Sequence, residues 1–395
     1  MTRVSITRSV EVPDRIRLAR YLRAPELGPR VLFFSGGTAL RATSRLLPEC
    51  THNSVHLITP FDSGGSSAKI RDAFPVLAVG DLRNRMMALA DNQLKGHPEV
   101  YRLFAMRLPQ AGDPKNLTRT LDDIIDGEHP LIEEVPAPLR RLIRTQLEHF
   151  RRQMPRDFDL AGASIGNLIL IGGLLANDND IDAVLFMFAK LVEVRGVVRP
   201  VVNANLHLAG MTSGGRTLIG QHLLTSPEVL ASEHLEDVWV CESLKDSARV
   251  SVPVDPRTRK LISKAELIVY PIGSFFTSVM ACLQPVGLGA AVASSTCPKV
   301  YVANCGLDPE QGPTSVERCV ELLLTTLRKD AGPNVPTHCL LNLVIVDSEH
   351  GDYPGGLDVE TIRGLGVEVL DVAMCAPETA MITPRNLRDV LLSIV

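Results

Sequence analysis

The residues best able to do chemistry in this chain sit in short turns of glycine, serine and threonine that follow apolar runs. The fullest is "ITPFDSGGSSAKIRD", residues 58–72. Val55, Leu57 and Ile58 lead into Asp62, Ser63 to Ser67 are only serine and glycine, and a helix carrying Lys69 and Arg71 could begin at Ala68. Gly64, Gly65, Ser66 and Ser67 offer unhindered backbone N–H groups and hydroxyls beside a carboxylate, which suits a phosphate. The plain alternative is a capped helix start, because Ser and Asp are good N-caps. Capping needs one such residue, whereas this turn spends five.

Four other turns have the same character. Gly36, Gly37 and Thr38 lie between an apolar run and a helical pattern, a weaker signal than a full dinucleotide fingerprint. Asp81, Arg83 and Asn84 open the apolar pattern of "VGDLRNRMMALAD". Asp81 could be an N-cap, or a second carboxylate for a metal or a substrate hydroxyl, with Arg83 pairing a phosphate. Gly162 to Gly166 fits G-x-S-x-G, but charged residues precede it where a nucleophile elbow needs a strand. A helix N-terminus presenting Ser164, Gly166 and Asn167 to a ligand is the better reading. Gly273, Ser274 and Thr277 follow the run "AELIVYP". Each turn alone could be a ligand-free β–α connection. Together, with Asp62 and Asp81 among them, they favour a phosphorylated or nucleotide ligand.

Such turns need a scaffold of strands that end side by side. Runs of strand length alternate with helical patterns at 30–47, 55–74 and 265–283, and "PKVYVANCG" and "LLNLVIVDSEHG" add later buried strands. This predicts an α/β protein, with a Rossmann-like, doubly wound, mostly parallel sheet. Residues 1–29 read as an N-terminal arm and 30–395 as a single large domain that binds a nucleotide conjugate. A helical insertion covers about 98–160, in which the basic helix 139–154 puts Leu139, Leu142, Ile143, Leu147 and Phe150 on one face. The alternation and Gly-Gly turn of 199–260 predict a small antiparallel β appendage. Asp347 and His350 read as part of a surface loop.

Composition narrows the function. A net charge of −4 and 4% aromatics argue against nucleic-acid binding through bulk charge or base stacking. No run of about 18 apolar residues predicts a membrane span, and the N-terminus has no apolar signal core. Eight scattered cysteines without a C-x-x-C pair suit reduced thiols, and cytoplasmic localisation is expected.

Read in order, "SGGTALRATSRLL", "DSGGSSAKIR", "GDLRN", "GASIGNLIL", "EVRGVVRPV" and "AELIVYPIGSFFTSVMACL" resemble the family that joins 2-phospho-L-lactate transferases to UDP-sugar-binding gluconeogenesis factors (CofD/YvcK-like). The resemblance spans about 30–306 and suggests a divergent CofD-like subgroup. It implies a Rossmann-like fold and a nucleotide-linked ligand. The transferase branch moves a phospholactyl group from a guanosine diphosphate conjugate with magnesium; the regulator branch binds UDP-sugars. By position, Gly36, Gly37 and Thr38 would cradle phosphate, with Asp62 at the metal or acceptor position. Asp81, Arg83 and Asn84 would lie beside the ligand. Ser164, Gly166 and Asn167 would close the phosphate site, with Gly273, Ser274 and Thr277 on its far wall. The chain departs from the family pattern at Ser63, where the family has a second aspartate, and at Ala39, Ala163, Pro271, Ile272 and Phe276. These changes keep the anion-binding surface and thin out the chemistry.

The expected activity is therefore a CofD-like transfer on a nucleoside diphosphate-linked substrate with release of a nucleoside monophosphate, using Asp62, Asp81 and Arg83, with magnesium at Asp62. The alternative is a non-catalytic UDP-sugar-binding regulator. Expected partners are a nucleotide-linked small molecule and further copies of the chain. The resemblance adds a functional link to an ATP-grasp enzyme.

Overall fold

A computed structural model describes residues 9–91 and 96–395, so positions 1–8 of the expected arm lie outside the described residues. Seven short strands form an all-parallel sheet: β1 Val31–Ser35, β2 Val55–Ile58, β3 Val197–Pro200, then β8 Leu267–Tyr270, β9 Lys299–Val302, β10 Leu343–Val346 and β11 Glu368–Asp371. Their order across the sheet is β11-β10-β9-β8-β1-β2-β3. The chain thus winds outward twice from β1, and the reversal falls between β1 and β8, paired in parallel from Val31–Leu267 to Phe33–Val269. In sheets of this kind the crevice at the carboxyl ends beside the reversal is where ligands bind.

The central strands are apolar throughout because both faces are covered. Side chains alternate across the pleat. Leu32 and Phe34 join Tyr270 and the helix Val316–Ala331 in one core, while Val31 and Phe33 join Val269, Val300 and Leu391 of the helix Pro384–Ile394 in another. The arm is not free: Arg17 Nη1 donates to the Ser393 carbonyl at 2.8 Å, docking the helix Arg15–Arg23 on the C-terminal helix.

Four helices between Pro98 and Gln153 build a third core with the helix Ile165–Ala176, which is apolar on every side and buried along most of its length. The basic helix runs Ala137–Gln153. Ile143, Leu147 and Phe150 are buried as its period predicts, but Leu142 is 46% exposed, and Gln146 is buried instead. Leu142 stands about 100° around the helix from Ile143 and turns out of the packed stripe.

The segment after β3 forms the antiparallel sheet β5-β4-β6-β7, made of β4 His207–Thr212, β5 Thr217–Ile219, β6 Leu235–Ser243 and β7 Asp246–Arg249. The Gly-Gly turn closes the β4–β5 hairpin as expected. Asp347 does not lie on the surface. Its carboxylate accepts N–H bonds from Met374 (2.8 Å), Cys375 (2.7 Å) and His350 (3.0 Å), fastening the loop after β11 to the end of β10. Burial alone would raise this carboxyl, but those bonds hold it down at about 2.

Candidate active site

The turn after β1 and the turn after β8 meet over a cleft of about 400 Å³ lined by Gly36, Gly37, Thr38, Asp62, Asp81, Ile272, Gly273 and Ser274. Three loops distant in sequence converge because β8, β1 and β2 are neighbours and their carboxyl ends point one way. Gln221 and Ser278 also line it, the former supplied by the antiparallel appendage.

Asp62 leaves the end of β2 and is fixed by its own turn. The Gly64 N–H donates to Oδ1 at 3.0 Å and the Ser67 hydroxyl to Oδ2 at 2.6 Å. The helix Gly65–Ala73 starts with Gly65 at φ +48°, earlier than Ala68, and a Cβ on Gly65 would meet nothing. Glycine there serves the left-handed backbone. The two cations of the stretch turn away from the cleft. Lys69 pairs with Asp159 at 2.6 Å, and Arg71 donates to the carbonyls of Asp62 (3.0 Å) and Leu206 (2.6 Å).

Asp81 opens the helix Gly80–Ala88 and sits against Gly37, where an added Cβ would lie 2.0 Å from its Oδ1. Close approach, not φ, requires glycine at that position. Burial, then the charge of Asp62, pushes the Asp81 carboxyl up to about 6, against Arg85 and the Gly37 N–H. Arg85 is fully buried below the cleft and donates to the Gly36 carbonyl at 2.8 Å and to the Ser35 hydroxyl at 3.3 Å. Burial brings it down to about 10, opposed by Asp81. The residue was missed in the sequence, although its place four residues after Asp81, on the same helix face, is a usable signal.

Ser63, where the family carries a second aspartate, holds the appendage. Its hydroxyl lies 2.9 Å from His222 Nδ1 and accepts the His222 N–H at 3.3 Å. His207 is pushed down to about 4 by burial, then by Arg71 and His222.

The remaining residues separate into two groups. Arg83, Asn84, Ser164 and Gly166 form a cluster of their own. Arg83 Nη1 donates to the Ser164 hydroxyl at 2.6 Å and to the Phe104 carbonyl at 3.3 Å, and Nη2 donates to Asn84 Oδ1 at 2.6 Å. Gly166 is a packing position. A Cβ there would lie 2.7 Å from the Phe104 carbonyl oxygen and 2.8 Å from Arg83 Cδ, and Gly166 is not part of the cleft lining. Asn167 is buried in the same helix.

Thr277 is the other exception. Its N–H donates to Glu310 at 2.8 Å and its hydroxyl to the same carboxylate at 2.5 Å, while Asp308 takes the Phe275 N–H at 2.8 Å. The helical start at Phe275–Met280 is thus capped by two of the protein's own carboxylates, and Thr277 faces them rather than the cleft. Burial, then Asp308, raises Glu310 to about 7. These acids sit in "LDPEQG" after β9, a strand-end acidic pair that sequence reading passed over. Ser274 also borders a more apolar hollow of about 330 Å³ lined by Pro227, Leu230, Ala231 and Pro309.

A Rossmann-like α/β protein with its cleft at the switch point and two carboxylates in that cleft is the class these features define. The family model described as 2-phospho-L-lactate transferase CofD matches residues 31–375, and the chain belongs to that family. It is 28% identical over 279 residues to a protein named gluconeogenesis factor from Listeria monocytogenes, covering 71% of this chain and 67% of that one. A gluconeogenesis factor from Bacillus subtilis is 24% identical, covering 87% of this chain and 90% of that one. The crystal structure of a member of the UPF0052 family from Bacillus halodurans shares the fold, with a TM-score of 0.66, 21% identity, and coverage of 92% and 99% of the two chains. Among the described residues, no helix is long and apolar enough to cross a membrane.

Proposed function

We propose that the chain is a magnesium-assisted transferase acting on a nucleoside diphosphate-linked substrate, with release of a nucleoside monophosphate. The observation that carries this reading is the meeting of Asp62 and Asp81 in one cleft beside the glycine turn after β1. Position 63 carries serine, and the second carboxylate of the cleft, Asp81, comes from 19 positions beyond Asp62 along the chain. Two carboxylates that repel one another, with the Ser67 hydroxyl beside them, offer the hard oxygen donors magnesium takes. Among the described residues no group of three or more His, Cys, Asp or Glu could hold a metal. Magnesium takes one or two carboxylates and completes its shell with water and substrate phosphates. Asp62 and Asp81 would hold it, and it would supply neutralisation of phosphate charge.

The chain's own residues do the positioning. Gly64 N–H and Ser67 orient Asp62, and Gly37 and Arg85 orient Asp81 and the turn over which the phosphates lie. An acceptor oxygen attacks one phosphorus, and the bond from that phosphorus to the departing nucleoside monophosphate breaks. Calorimetric titration with UDP, GDP and UDP-N-acetylglucosamine, each with and without magnesium, tests the site. Magnesium-dependent binding that disappears in Asp62→Asn is expected, with nucleoside monophosphate released only by the wild type.

A second reading has its own support. The curated relatives carry the name gluconeogenesis factor, and Ser63 is engaged with the appendage rather than the cleft. A sensor of this kind would bind UDP-N-acetylglucosamine without magnesium and release nothing.

A further inference from the structure

The helix Arg15–Arg23 carries apolar side chains on the face it turns to water. Its inward face, Arg17, Leu18 and Tyr21, is used by the chain itself. Leu18 is buried in the core that holds Leu391, Tyr21 packs against that core, and Arg17 donates to the carbonyls of Ser393 (2.8 Å) and Val395. The Asp14 N–H donates to the Ser393 hydroxyl at 2.8 Å, and the Asp14 carboxylate caps the helix and pairs with Arg17 at 3.5 Å. The helix is therefore held in place, and its nearest acid is already taken.

Six positions point outward. Arg15, Ile16, Ala19, Arg20, Leu22 and Arg23 are all exposed. At about 100° per residue they share roughly 160° of the helix surface. A water-facing stripe is expected to be polar. Here Ile16 is 70% exposed and Leu22 52%, and Leu27, in the turn that follows, is 78% exposed. Leu27 and Ile16 are the two most exposed large apolar side chains among the described residues. Among those residues Arg15, Arg20 and Arg23 form no ion pair, and the other acids of the segment, Glu11 and Glu26, stand exposed without pairing with them.

The charge of the chain is divided in the same way. Residues 1–30 hold seven arginines and three acids, a net charge of +4, while the whole chain carries −4, so the remaining residues carry −8. Such an asymmetry turns the basic segment toward an anionic surface and the rest of the molecule away from it.

Apolar side chains and unpaired guanidiniums on one exposed helix face match the boundary of an anionic bilayer. Ile16 and Leu22 enter between headgroups and acyl chains, and the arginines lay their stems there while their heads reach the lipid phosphates. A nucleic-acid backbone would take the arginines and leave the apolar side chains in water. A second copy joined about a two-fold axis would set the three arginines of one helix against those of the other.

We propose that the outer face of the helix Arg15–Arg23, with Leu27 beyond it, is a docking surface for an anionic lipid bilayer, on which the protein lies reversibly without spanning it. The segment enters the amino end of β1, and the cleft follows its carboxyl end, so the docked protein keeps its cleft open to solution. The inference is independent of what the cleft binds.

The test is cosedimentation of the full chain with vesicles of phosphatidylcholine alone and of equal parts phosphatidylcholine and phosphatidylglycerol, at low and at high salt. The wild type is expected to sediment with the anionic vesicles only, and less at high salt. Affinity should fall roughly a hundredfold in Arg15→Gln/Arg20→Gln/Arg23→Gln, about fivefold for each charge. It should fall about tenfold in Ile16→Ser/Leu22→Ser. All five positions are exposed, so folding is not at stake. The proposal is overturned if the wild type binds neither vesicle, or if either variant binds the anionic vesicles as the wild type does. It is also overturned if another occupant takes this face. Light scattering in which the wild type self-associates and only the arginine variant is monomeric would assign it to a second copy. Binding of a DNA duplex that needs the arginines but not Ile16 and Leu22, with the vesicles left unbound, would assign it to nucleic acid.

Discussion

The turns after β1 and β8 are neighbours in space and alike in composition, and both have carboxylates beside them, yet one borders an open cleft while the helical start beyond the other is closed. At the first, Gly36, Gly37 and Thr38 border an open cleft, and the nearest acids, Asp62 and Asp81, share that opening. At the second, the helical start beyond Ser274 is closed by Asp308 and Glu310, which consume the Phe275 and Thr277 donors. Both turns satisfy the same physical demand, that free N–H groups at a helix start find an oxygen. At the second the oxygens come from Asp308 and Glu310; at the first Asp81 takes the Gly37 N–H, and the rest of the turn borders space that a ligand could occupy. A glycine–hydroxyl turn in a sequence therefore marks a demand for oxygen, and only the fold says who meets it.

Breaking the second turn should cost stability and spare binding. Glu310→Ala leaves the buried Thr277 N–H without its acceptor and is expected to lower unfolding free energy by about 2–3 kcal/mol. Nucleotide affinity should hold within twofold. Denaturant unfolding beside a UDP titration checks this, and a large loss of affinity with little loss of stability would merge the two turns into one site.

Breaking the first should do the reverse. Asp81→Asn is expected to reduce magnesium-dependent nucleotide affinity by roughly a hundredfold. Its unfolding midpoint should not fall, because the substitution removes a carboxylate raised by burial and by Asp62. Gly37→Ala should lose binding for a steric reason, since the new Cβ would displace the Asp81 carboxylate.

The pH dependence of folding sharpens the contrast. Glu310 is raised from 4.5 to about 7 in the folded chain. Between those values the native state holds more protons than the unfolded state, so stability falls as pH rises from about 4.5 to about 7. In Glu310→Gln that share of the slope should vanish, with or without nucleotide. Thermal unfolding across this range measures it, and an unchanged slope would show that Glu310 is ionised throughout.

The smallest effects concern residues that looked like ligand contacts. Thr277→Val should cost about 1 kcal/mol of stability through the lost hydroxyl bond to Glu310, and leave binding intact. Gly65→Ala should also cost about 1 kcal/mol, from the left-handed backbone alone, because nothing surrounds the added methyl. If Gly65→Ala instead abolished binding at full stability, the opening turn would touch the ligand directly.

Much of this protein was legible in the order of its residues. Buried strands such as "RVLFF" and "ELIVY" announced a parallel sheet because both faces must be apolar, and the Gly-Gly hairpin of the appendage followed from local alternation. The family motifs, read in sequence, gave the family to which the chain belongs. These are local signals, set by periods of two and 3.6 residues and by turn chemistry. What residues 36, 62 and 81 do together was not local. The sequence offers Asp62 and Asp81 as candidate carboxylates in separate turns; the winding of β8, β1 and β2 brings them to the same cleft. The fold likewise withdrew Thr277 and Gly166 from the cleft, one into a carboxylate cap and one into a close contact between chain segments. Local structure is fixed by neighbours along the chain, whereas the balance of charge in a site is fixed by neighbours in space.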